Sequence, residues 1–145
     1  MRVLLPIAAL GLFAGACGPD VLPGGSTDPG GGGGGSGVPG SFSSIEADLL
    51  VPRCATSSCH SGNPPPVPVS LDAGLAYGEL VGKPSIQVPQ LNLVEPGMPE
   101  RSYLVIKLRG SAGMVGAPMP LGDSALDEAD IESIEAWIAN GAPND

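Results

Sequence analysis

The sequence is short of rings, of charge and of histidine. Its aromatic residues are two Phe, two Tyr and one Trp in 145 residues, which leaves few large apolar anchors for a core. A buried cofactor would supply volume that the rings do not. Charged residues make up 14%, and 15 Asp+Glu outnumber 6 Lys+Arg. A surface of that sign repels phosphate backbones, so nucleic acid is excluded as a partner and a basic protein or a neutral surface is favoured. One histidine and three cysteines are present. A blue-copper centre wants two histidines and an iron–sulfur cluster about four thiolates, so neither can be assembled. No acid/base pair or nucleophile–base constellation is visible, and catalysis is not expected.

What is present divides into three parts. The chain opens MRVLLPIAALGLFAGACGPD, one Arg and then an apolar run from Val3 to Ala16. That run is shorter than the ~20 apolar residues needed to cross a bilayer and reads as a signal peptide over 1–16. It ends Ala14-Gly15-Ala16-Cys17, which resembles the lipobox of bacterial lipoproteins and implies a lipid on Cys17. The alternative is an ordinary cleavage site that leaves Cys17 a stray thiol. From 17 to 40 the chain is GPDVLPGGSTDPGGGGGGSGVPG after the cysteine, with Gly at every position from Gly30 to Gly35. It has no periodic apolar face and reads as a linker with an r.m.s. span of roughly 25–30 Å. Residues 41–145 then form a single module, long enough for one small core.

Helical patterning dominates that module. Ser43 and Glu46 have the spacing of a capping box, Ile45, Leu49 and Leu50 share a face, and Pro52 is expected to stop the first helix. Asp72 is placed to cap a second helix through Leu75, Tyr77 and Leu80 to Gly82. A third runs from Pro99 through Tyr103, Leu104, Ile106 and Leu108 to Gly110, although SYLVI also suits a strand. The fourth starts at Asp127, carries Ile131, Ile134, Trp137 and Ile138 on one face, and ends at Gly141. Its acids, Asp127, Glu128, Asp130, Glu132 and Glu135, lean toward the positive end of the helix dipole and read as a solvated face. The connections are rich in Pro and Gly and show no alternating strands, so the fold class is all-α with long loops.

The chemistry concentrates in Cys54-Ala55-Thr56-Ser57-Ser58-Cys59-His60. A zinc site built on Cys54, Cys59 and His60 is disfavoured, because the adjacent side chains of Cys59 and His60 seldom converge on one tetrahedral ion. Two readings stay level on the cysteines alone. One is a Cys54–Cys59 disulfide, natural in an exported chain, with His60 a bystander. The other is covalent haem attachment, in which two thiols add to porphyrin vinyl groups and the following His ligates iron. The direct succession of Cys59 and His60 favours the second. With one histidine the remaining axial ligand would be a methionine. Met119 is held between Pro118 and Pro120, Met114 lies between glycines, and Met98 in Pro96-Gly97-Met98-Pro99 is the fallback.

Taken in order, Pro52-Arg53-Cys54, Cys59-His60-Ser61-Gly62, Leu80-Val81-Gly82, Pro96 to Leu104, Met119-Pro120 and Trp137 to Ala142 give the module a likeness over 41–143. It resembles the class I c-type cytochromes, and more closely the planctomycete-type cytochrome c domains of bacterial envelope proteins. The spacing here is C-x4-C-H instead of C-x2-C-H, similar to expanded motifs of multihaem cytochromes whose additional residues bulge outward. The resemblance implies a cytochrome c-like fold, one haem c on Cys54 and Cys59, His60 as proximal iron ligand and Met119 as distal. It also implies Ile45 and Leu49 packed against Ile134, Trp137 and Ile138. Trp137 is then a core anchor, and Lys83, Arg101, Lys107 and Arg109 are either propionate partners or ordinary surface charges. The implied role is electron transfer to a redox partner in the bacterial cell envelope, lipid-anchored through Cys17 and facing the periplasm or the outer surface. The alternatives are a haem-free, disulfide-stapled lipoprotein module and a five-coordinate haem that senses a gas.

Overall fold

A computed structural model describes residues 40–145; the leader, Cys17 and the linker up to residue 39 lie outside the described residues. The described chain is helical, with isolated bridges in place of strands. No helix among the described residues is long and apolar enough to cross a membrane.

The first helix, α1 (Phe42–Ile45), is capped by Ser41, whose side chain accepts the Ser44 N–H. The expected cap lies two residues too late. Ser43 instead gives its N–H and hydroxyl to the carboxylate of Asp145, which also takes the Phe42 N–H at 2.7 Å. Glu46 completes no box and accepts the Gly74 N–H at 2.9 Å. Beyond Ile45 the helix continues as a π-helical stretch, Glu46–Cys54. Pro52 therefore does not stop it. A turn closed by i→i−5 bonds is wider, and it accommodates a residue that has no N–H and crowds the carbonyl four places back. The stretch ends when Ala55 N–H bonds to Leu50 O at 2.9 Å.

Helix α2 (Ala76–Leu80) starts later than expected, with the Asp72 carbonyl accepting N–H groups from Leu75 and Ala76. Leu75 points outward at 55% exposure, and Leu71 and Ala76 fill the core in its place. The SYLVI ambiguity resolves as helix: a 3-10 turn (Pro99–Arg101) leads into α3 (Tyr103–Arg109), ended by Gly110 at φ 61°. That left-handed residue lets Ser111 N–H reach back to Ile106 O, a closure that glycine permits without strain. Helix α4 (Glu128–Ala139) follows the expected face, with Ile131, Ile134, Trp137 and Ile138 buried.

Three of the rings pack together. Phe42 lies 5.2 Å from both Tyr77 and Trp137, ring centre to ring centre. Trp137 is buried, and its indole N–H donates to Pro143 O at 2.9 Å. It is a core anchor, in one cluster with Ile45, Leu49, Ile134 and Ile138. The acidic run of α4 is not uniformly solvated. Asp130 is buried, its Oδ1 without a hydrogen-bond partner among the described residues, while Glu128 and Glu135 both bind Arg109.

Candidate functional site

The π-helical stretch delivers Cys54 into a tight reversal. The Cys54 carbonyl accepts N–H groups from Thr56 at 2.9 Å and from His60 at 3.3 Å, which draws His60 back beside Cys54. Cys59 and Ser61 both donate to Thr56 O. Thr56, Ser57 and Ser58 are exposed, while Cys54, Cys59 and His60 are half-buried. The Pro-rich strap that follows is bound from both sides, Val67 N–H to Cys59 O and Leu71 N–H to His60 O at 2.8 Å. Asp72 secures the corner, its carboxylate accepting from Gly62 N–H and Ser70 Oγ; hydrogen bonds from Ser61 and Gly62 hold its pKa below the ordinary value.

The strap also orients the imidazole. His60 Nδ1 lies 2.9 Å from Val69 O. A carbonyl can only accept, so Nδ1 carries the hydrogen, and in the neutral ring the lone pair lies on Nε2. This is how proteins commonly fix the tautomer of a metal-ligating histidine. Val69 was missed at the level of sequence because a carbonyl partner leaves no residue-type signature.

The two thiols are free and unlike. Burial pushes the Cys54 thiol up to about 11, against a partial opposing pull from Arg53. Hydrogen bonds from Thr56 and Ser58 draw the Cys59 thiol below its ordinary value. The exposed turn between the cysteines thus acts chemically on one of them.

Met119 arrives on the long loop after α3, anchored by its N–H to Lys107 O at 2.9 Å. It is half-buried against the core, as are Cys54, Val69 and Leu104. Met114 is half-buried and Met98 is 44% exposed. The Cys–His loop and the methionine loop are tied together by Arg53, the residue before Cys54. Its guanidinium pairs with Asp123 at 3.1 Å and donates to Ser124 O at 3.0 Å. Sequence reasoning missed this link too, since the partners stand 70 residues apart.

Of the basic residues considered for propionates, Lys83 and Arg101 are exposed. Lys107 is buried and donates to the carbonyls of Val115 and Ala117, with burial lowering its pKa. Arg109 is committed to Glu128 and Glu135. An open groove of about 430 Å³ runs beside α3, lined by Val105, Ile106, Arg109 and Glu135 among others; Cys54, Cys59, His60 and Met119 do not line it. Among the described residues no three His, Cys, Asp or Glu side chains are arranged to hold a metal ion. The turn carries one imidazole and two thiols, and the Met119 thioether sits on a separate loop tied to that turn through Arg53.

No protein-family model, curated protein or solved structure matches the chain.

Proposed function

We propose that residues 41–145 are a c-type cytochrome module of cytochrome c-like fold that carries one haem c and passes electrons without catalysing a reaction. Cys54 and Cys59 are the thioether positions, His60 the proximal iron ligand and Met119 the distal one. A lipid on Cys17 holds the module at the bacterial cell envelope on its glycine-rich tether. The reading is carried by one observation: His60 directly follows Cys59 and keeps Nε2 free because Nδ1 is engaged by Val69 O at 2.9 Å. Haem c, when bound, supplies a one-electron couple, and a methionine ligand raises its potential relative to a bis-histidine site. The chain's own groups do the positioning. Val69 fixes the imidazole, the Cys54 carbonyl holds the backbone of His60 close, and Arg53 ties that loop to the methionine loop. The excess of acid over base favours a basic redox partner.

A second reading, a haem-free module stapled by a Cys54–Cys59 disulfide, draws on the core itself. Ile45, Ile134, Trp137 and Ile138 are each no more than 1% exposed, so the helical frame closes on side chains alone. Maturation of the full chain in a cytochrome-competent host separates the readings by intact mass and visible spectrum. Added haem mass with a methionine–iron charge-transfer band supports the cytochrome. A colourless protein lighter by two hydrogens supports the disulfide and ends the cytochrome reading. Covalent haem in a high-spin state removes Met119 as ligand and leaves an open iron position suited to a gas.

A further inference from the structure

The loop that carries Met119 has little packing of its own. Val115 is 47% exposed, and Gly116, Ala117 and Pro118 are exposed as well. The Met119 side chain packs half-buried on the core, but burial does not set the path of the loop that delivers it. Four hydrogen bonds do, and all come from one face of α3. The Tyr103 hydroxyl accepts the Val115 N–H at 3.0 Å while donating to Gln87 Oε1 at 2.9 Å. Lys107 Nζ donates to Val115 O at 3.0 Å and to Ala117 O. The Lys107 carbonyl accepts the Met119 N–H at 2.9 Å. Tyr103 and Lys107 are four apart and share a helix face. Gly116, at φ 74° between the two carbonyls, makes the turn that lets both meet one ammonium, a backbone shape open to glycine.

Lys107 is an unusual residue to find inside. It is 7% exposed, and among the described residues no carboxylate lies within ion-pair distance; both of its partners are loop carbonyls. Buried lysines are rare and costly unless their protons are used. Here they are used on the methionine loop. We propose that α3 is a template for that loop and that Lys107, with Tyr103 second, is the positioning residue that sets the place of the Met119 thioether. The proposal rests on the reading of Met119 as the distal ligand.

The test uses the full chain, with and without haem, as Lys107→Met, Lys107→Arg and Tyr103→Phe. Methionine matches the volume of lysine without its donors, and the carbonyls it abandons sit at the surface where water can reach them. In the haem-loaded protein, Lys107→Met is expected to keep the haem mass and helix signal while losing most of the methionine–iron charge-transfer band. Lys107→Arg retains donors and restores much of the band, and Tyr103→Phe weakens it less. In the haem-free chain, amide exchange at Met119 rises on the order of tenfold for each charged hydrogen bond lost, and exchange at Ile138 is unchanged. A Lys107→Met protein with its band at full strength overturns the proposal. So does an equal rise in exchange at Ile138, which would make Lys107 a residue of the whole fold. A chain that never takes up haem ends the cytochrome reading, and the exchange measurement still decides whether α3 holds the loop.

Discussion

Iodoacetamide added to the reduced, haem-free chain at pH 8 is expected to distinguish the two thiols sharply. With the Cys54 pKa moved from 9.0 to about 11, its thiolate falls from about one part in ten to about one in a thousand at that pH. A more basic thiolate is also a better nucleophile, with a Brønsted slope of about 0.4–0.5, which returns a little under tenfold of that loss. The net is a thiol roughly tenfold slower than an ordinary one, before its partial burial slows it further. Cys59 shifts the other way through Thr56 and Ser58. Cys59 is therefore alkylated at least about tenfold faster. Quenching at intervals, digesting and reading fragment ions on either side of Ser57 gives both rates from one peptide. Repeating the series up to pH 10.5 should show the Cys59 rate levelling while the Cys54 rate keeps climbing. Equal rates at pH 8, or a faster Cys54, refute the account of the burial of Cys54 and of the hydroxyl turn around Cys59.

The same half-buried thiol gives the haem-free chain a stability limit. A thiol whose folded pKa is raised favours folding while it stays protonated, below its unfolded value of 9.0, and that contribution is lost as pH rises toward about 11. Urea midpoints are expected to fall over this interval by the equivalent of about 2–3 kcal/mol, and Cys54→Ala should flatten that drop. Asp130→Ala is expected to stabilise the module by about 1 kcal/mol in urea unfolding: an unpartnered buried oxygen costs about 1–3 kcal/mol, more than the ~0.3–1 a carboxylate gains near a helix start. A destabilised Asp130→Ala protein would show that the carboxylate has a partner after all.

The helices with sharp punctuation were legible in the sequence. Pro99 and Gly110 bracket the turn and helix that carry SYLVI, and the spacing of Ile131, Ile134, Trp137 and Ile138 fixed the buried face of α4. The cysteine–histidine cluster was legible because side-chain chemistry announces itself by residue type. What escaped was set by partners far away or by main-chain groups. Ser41 rather than Ser43 caps α1 because Asp145 claims Ser43. Lys107 and Asp130 lie inside although their types predict solvent, and Leu75 lies outside although its period predicts the core. The Val69 carbonyl on His60 and the Arg53 link to Asp123 belong to the same class. Each depends on tertiary contacts, some only 8–10 residues away and others 70 or more, that residue type and period do not encode.

The broad coil from Glu46 to Cys54 has a consequence for anyone editing this chain. An ordinary helix advances about 100° with every residue, so deleting one position there would tidy the ladder and swing the sulfur to another side of the axis. Regularity and aim are opposed in that segment. The untidy winding decides which way Cys54 faces.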